Sequence, residues 1–213
     1  MDNGAFSVFL EKNPIISIKV TPGHFSTSFY HMNYYLDIST LKANAFIARD
    51  VARELAAPYI STTIVDTIVC MENTKVIGAF LAQELLQEGT AVMNSGGEIH
   101  VVTPMNTIDG KMVFYDNELE WIRNRYVLML TASVSSGRTL NSAMECLSYY
   151  NGIIAGISAL FLYSGAVKHL KIHSLFTSDD IPGYKVHSTN SCEVCKEGQK
   201  LDALISCEGY KRI

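Results

Sequence analysis

Lysine and arginine are sparse in this chain: 17 stand against 21 aspartates and glutamates, a formal net charge of −4 over 213 residues. They form no cluster, which disfavours a nucleic-acid groove or an anionic membrane surface as partner. Long hydrophobic runs are missing as well. The longest apolar tract, 153–167, falls short of the roughly 20 residues a spanning helix needs and carries Ser158, Tyr163 and Ser164, so no membrane partner is expected. The first residues show no basic segment followed by an apolar core and a small-residue cleavage site, so a cytoplasmic location is expected. Cysteine is scarce. Cys70, Cys146, Cys192, Cys195 and Cys207 form an odd set without the density of a secreted disulfide framework, which fits a reducing compartment. Internal repeats and low-complexity linkers are also lacking.

With 48% hydrophobic and 18% charged residues, the chain is long enough for one well-buried domain spanning 1–213. Helix-period and strand-period segments alternate, the pattern of an α/β chain with a central parallel sheet flanked by helices. The spacing of Ala43, Ile47, Val51 and Leu55 predicts a helix over 41–56, and IVDTIVCM predicts a strand within 63–71. A second helix is expected over 75–87, stopped by Gly89. Short strands are expected at 91–94 and 98–102, then a turn at 106–111 containing Asp109-Gly110, and a returning strand at 112–115. Strands at 126–130 and 153–161, a helix over 139–150 and an edge strand at 170–176 complete the pattern.

Residues 127–140, VLMLTASVSSGRTL, read as a buried strand running into a small-residue turn that opens a helix. Ser133, Ser135, Ser136 and Gly137 keep side chains small, and Arg138 and Thr139 follow them. Successive backbone N–H groups can then converge on one ligand, aided by the partial positive charge of the helix start. A phosphate fits such a nest.

This segment resembles the PRPP-binding motif of type I phosphoribosyltransferases: an apolar strand, two acidic residues, two variable residues, two hydroxyl residues, Gly, a variable residue and Thr. Ser135, Ser136, Gly137 and Thr139 match it, while Thr131 and Ala132 stand where the acidic pair would hold the ribose hydroxyls. The resemblance implies the type I phosphoribosyltransferase fold with a small hood subdomain, from about 14–40 and 177–213. It assigns phosphate binding to Ser133, Ser135, Ser136, Gly137, Arg138 and Thr139, and ribose binding to Thr131 and Ala132.

Three further regions extend the likeness, the first and third of them toward the orotate branch. Residues 23–37, GHFSTSFYHMNYYLD, are similar to its amino-terminal hood, which assigns Phe25, His31 and Tyr34 to the base. The turn VCMENTKVIG at 69–78 matches where the family binds pyrophosphate, assigning Glu72, Asn73, Thr74 and Lys75; read alone, Thr74 caps the next helix. The tail from Cys192 resembles a Cys-x-x-Cys segment of orotate phosphoribosyltransferase-like proteins. Zinc there would need Cys207 and His187 to fold back beside Cys192 and Cys195; the reading preferred is reduced, metal-free thiols, with no metal ligand assigned.

The implied activity is transfer of phosphoribose from PRPP to an orotate-like or purine-like base, with Mg2+ and release of pyrophosphate. The expected partner is a small phosphorylated ribose or nucleotide, without nucleic acid, in a homodimer. In the loop 101–116 that would close over the site, Lys111 is the one basic residue and the catalytic candidate. Losing two carboxylates removes hydrogen bonds worth roughly 1.5–3 kcal/mol each. Where orotate enzymes carry an Arg for the substrate carboxylate, this chain has Leu162, Tyr163 and Ser164. The alternative is an impaired family member that senses a nucleotide or phosphosugar.

Overall fold

The computed structural model describes residues 4–107, 111–167, 169–206 and 209–213. The chain begins with strands β1 (Phe6–Leu10), β2 (Asn13–Ser26) and β3 (Tyr30–Asp37) and helices α1 (Ser39–Ala43) and α2 (Ala45–Ala56). Next come β4 (Thr67–Cys70), α3 (Lys75–Leu85), β5 (His100–Val102), β6 (Met105–Asn106) and β7 (Met112–Val113). Strand β8 (Tyr126–Val134), helix α4 (Arg138–Tyr149), β9 (Ile153–Leu162) and β10 (His173–Thr177) follow. The chain closes with β11 (Val186–Ser188), α5 (Glu193–Lys196), β12 (Ala203–Ser206) and β13 (Gly209–Arg212).

The central sheet has the order β10-β9-β8-β4-β5, and each neighbouring pair is parallel. Alternation along its strands splits the apolar residues between two cores. Ile68, Cys70, Leu128 and Leu130 pack with Val51, Leu55, Ile77 and Leu81 of α2 and α3, and with Ile16, Ile18 and Val20 of β2. The opposite face, Val69, Val127 and Met129, packs with Leu140, Ala143 and Leu147 of α4. The hood is a six-stranded sheet, β11-β3-β2-β12-β13 with β1 also on β2, so segments from both ends of the sequence build it. Among the described residues, no helix is long and apolar enough to cross a membrane.

Several elements differ from expectation for identifiable reasons. The helix expected over 41–56 is broken at Asn44, whose backbone is extended and whose side chain accepts from the N–H groups of Phe46 at 3.0 Å and Ile47 at 3.3 Å. That N-cap restarts the helix as α2. No strand forms at 91–94; instead Asn94 accepts from Val65 N–H at 2.9 Å and donates to the Thr63 carbonyl at 3.0 Å, a side chain doing a strand's bonding. Strand β8 runs to Val134 rather than 130 because β9 continues beside it, pairing Ser133 with Phe161 and Val134 with Leu162. Asp109 and Gly110 lie outside the described residues, and the returning strand is the short β7, paired with β6.

Gly78 sets the approach of α3 to the sheet, since a Cβ there would lie 2.2 Å from Cys70 Sγ and 3.2 Å from Val101 Cγ1. Burial pushes the Cys70 thiol up to about 12, so it stays a protonated core group. Gly78→Ala is expected to destabilise the protein by about 1–3 kcal/mol through overpacking. Urea denaturation checks this, and adding Cys70→Ala should recover part of the loss by removing the sulfur in the way.

Candidate functional site

The order of the central sheet creates a crevice. From β4 the chain crosses through α3 to β5 on one side, then returns to place β8 on the other side of β4. Loops leaving the carboxyl ends of β4 and β8 therefore diverge, and ligands of open α/β sheets bind at such a switch point.

The loop after β4 is tightly coiled. Glu72 and Asn73 have φ of 53° and 63°, left-handed conformations rare for residues with a Cβ. Their turn aims the Glu72 carboxylate across to β8, where Oε2 accepts from Thr131 Oγ1 and from Ser133 N–H, both at 2.9 Å. Lys42 of α1, which no sequence signal singled out, donates from Nζ to the Glu72 carbonyl at 3.1 Å. Asn73 and Lys75 are exposed. The side chain of Thr74 does not cap α3: it is buried, and its hydroxyl lies within hydrogen-bond range of the Met71 carbonyl at 2.8 Å and the Leu130 carbonyl at 3.2 Å. Thr74 keeps the N-cap position, but its hydroxyl is drawn back to Met71, just past β4, and to Leu130 within β8.

The loop after β8 forms the cradle. Ser135 and Ser136 are half-buried, and Gly137 takes a left-handed conformation, φ +76°, with Val167 Cγ1 only 2.6 Å from where a Cβ would stand. A side chain at 137 is thus excluded by backbone and by packing. Helix α4 starts here without a side-chain cap; Arg138 N–H reaches Ser136 Oγ at 3.4 Å. The first-turn N–H groups of a helix have no partner within it, and this end faces the crevice. Thr139 is exposed, and the Arg138 guanidinium lies 4.2 Å from the centre of the Phe29 ring at the tip of the hood hairpin.

Thr131 is 2% exposed with its hydroxyl committed to Glu72, while Ala132, 3% exposed, is part of the core beneath the sheet. The carboxylate at this point of the crevice comes instead from the neighbouring strand's turn. Glu72 is the sole acidic residue in 69–75 and 131–139, a donor set that suits Mg2+ only where the ligand's own phosphates and water complete it. Lys111 is exposed beside the β6–β7 ribbon, its N–H donating to Thr107 Oγ1 at 3.1 Å, and β7 packs against α4.

The hood residues lie elsewhere. Phe25 is fully buried against Met32 and Ala203, so its ring has no face for a base. Tyr34 stacks on Tyr184 and donates to the Pro182 carbonyl at 3.3 Å. His31 is buried beside His24, Cys192 and Cys195, and these four form a group able to hold a metal, which the metal-free reading of the sequence passed over. Burial first, then His24 and His187, lower the pKa of His31. Ser164, in place of the orotate branch's Arg, is within hydrogen-bond range of Ser178 through both its N–H and its hydroxyl, each at 3.1 Å.

Solved structures share this architecture. UMP synthase from Leishmania donovani matches with a TM-score of 0.54 at 20% identity, over 74% of this chain and 33% of that one. A phosphoribosyltransferase from Corynebacterium diphtheriae matches with a TM-score of 0.50 at 15% identity, over 74% of this chain and 90% of its own. The chain has a phosphoribosyltransferase fold. It spans about a third of the synthase's length. At these identities the likeness speaks to fold. No protein-family model matches the sequence. No curated protein matches it either.

Glu72→Ala should leave the Thr131 hydroxyl and Ser133 N–H without their acceptor, at a cost of about 1–3 kcal/mol in urea unfolding. Glu72→Gly loses the same bonds but relieves the left-handed backbone, and should be the more stable of the two variants by about 1 kcal/mol.

Proposed function

We propose that this chain binds a phosphorylated ribose, with the phosphate on the 135–139 cradle and the sugar in the crevice beside Glu72. One observation carries the reading: a turn whose Gly137 excludes any side chain opens an uncapped helix at the topological switch point. A phosphate there meets converging N–H donors and the positive end of α4, with Ser135, Ser136 and Thr139 supplying hydroxyls. Arg138 adds the charge. In this reading Glu72 accepts from ribose hydroxyls, the part that acidic residues at 131 and 132 would otherwise play. PRPP, a nucleoside monophosphate and ribose 5-phosphate share this chemistry.

Two outcomes of such binding are distinguished by turnover. Sensing without chemistry is favoured by the burial of Thr131 and Ala132, which leaves one carboxylate where the motif has two. Transfer of phosphoribose to an orotate-like or purine-like base is the second reading, favoured by Glu72 and Lys42 meeting at the turn after β4. Bound Mg2+ would supply neutralising charge to the departing pyrophosphate, with Glu72 as its protein carboxylate. In that reading Lys111 approaches as its loop closes, and Asn73 and Lys75 face the leaving group.

Thermal shift and calorimetry with ribose 5-phosphate, PRPP and nucleoside monophosphates, with and without Mg2+, test the proposal. All three should stabilise the protein, and Gly137→Ala should abolish the stabilisation. Pyrophosphate release across a panel of bases would establish transfer, and its absence alongside tight binding would establish sensing. Absence of stabilisation by all three ligands would reject the site.

A further inference from the structure

We propose that His24, His31, Cys192 and Cys195 form a structural zinc site that fastens the carboxyl-terminal segment to the hood. Their ligand atoms all lie within 4.8 Å of one another. His24 Nε2 is 3.1 Å from His31 Nδ1 and 3.5 Å from Cys192 Sγ; Cys195 Sγ is 3.2 Å from His31 Nδ1 and 3.7 Å from His24 Nε2. A tetrahedron with ordinary Zn–N and Zn–S bonds has edges of roughly 3.3 Å between nitrogens and 3.6 Å between nitrogen and sulfur. These four distances lie within about 0.4 Å of those edges.

The local structure explains how residues 168 apart in sequence converge. In the β2–β3 hairpin, Phe25 pairs with Met32 and Ser26 with His31, while a bulge between Pro22 and Phe25 accommodates Gly23 and His24. Phe25 and Met32 share one face, so His31 and His24 turn to the other. Cys192 and Cys195, three apart at the start of α5, present both sulfurs to that face. His24 is fixed from behind. Its Nδ1 sits 3.2 Å from the carbonyls of Gln199 and Lys200, the contact that leaves Nε2 free to bind a metal. Its own N–H donates to Asp202 at 2.7 Å, and its carbonyl accepts from Asp202 N–H at 2.8 Å.

A second observation favours a staple. The buried apolar core of this part of the hood is Phe25, Met32 and Ala203. So small a core rarely holds a fold, and small subdomains often rely on a metal. Two imidazoles and two thiolates in tetrahedral array select zinc, and four protein ligands leave no open position for catalysis. Binding displaces a proton from each thiol, so zinc uptake releases up to two protons to solvent.

The full-length protein, prepared without chelator and then supplied with zinc, should carry one zinc per chain by elemental analysis. Replacement by cobalt should give the d–d bands of a tetrahedral site together with thiolate-to-cobalt charge transfer. His31→Ala and Cys192→Ser should each weaken zinc binding by at least roughly a hundredfold. Cys207→Ser, at a position outside the described residues, should leave it unchanged. Absence of stoichiometric zinc, cobalt bands lacking thiolate character, or zinc retained by Cys192→Ser/Cys195→Ser would overturn the site. The cobalt spectrum needs only the unmodified chain, so a variant that fails to fold does not leave the question open.

Discussion

The carboxylate of Glu72 is the tie on which the crevice depends. It spans the gap between the turn after β4 and the end of β8, accepting one hydrogen bond from Thr131, where the phosphoribosyltransferase motif has an acid, and one from Ser133 two residues on. Holding it there requires two consecutive left-handed residues, a strained turn that persists because bonds on both sides over-determine it. The Thr74 hydroxyl secures the turn from below and Lys42 from the side. The cradle then opens against a fixed wall.

The proposed phosphate seat and the proposed metal quartet obey different physics. The seat is made mostly of backbone, so it needs small residues and a helix end, and tolerates much variation in the side chains around it. The quartet is made of side chains from two distant segments, and each ligand atom has to sit within a few tenths of an ångström of its place. One depends on the central sheet and the other on the hood. The Arg138 guanidinium over Phe29 is a point where the two halves touch.

How far these features were legible in the sequence follows from the range of the forces involved. Strand β8, helix α4 and the glycine between them are local, written in apolar period and small residues, and were readable almost to the residue. Ser133 was misjudged as turn because β9, a separate segment, extends the strand past it. Thr74 looked like a cap because capping is a local rule, whereas its partners are Met71, just past β4, and Leu130 in the middle of β8. Phe25 and His31 carried a base-facing expectation, yet alternation along the hairpin sends one into a core and the other toward the Cys-x-x-Cys turn. His24 and His31 share a face because the bulge between Pro22 and Phe25 shifts the register, so that Ser26 pairs with His31. What no local pattern contained was the approach of the tail.

That approach bears on the order in which the molecule assembles. His24 and Asp202 are 178 residues apart, and β12 lies parallel to β2 beside them. The hairpin of β2 and β3 leaves the ribosome early, but its neighbour in the sheet emerges only after the whole parallel core has been made. Until then the hood has an open edge and two histidines waiting for their sulfurs. Because contacts so distant in sequence must first overcome the entropy of closing a long loop, docking of β12 on the hairpin is expected to be a late step.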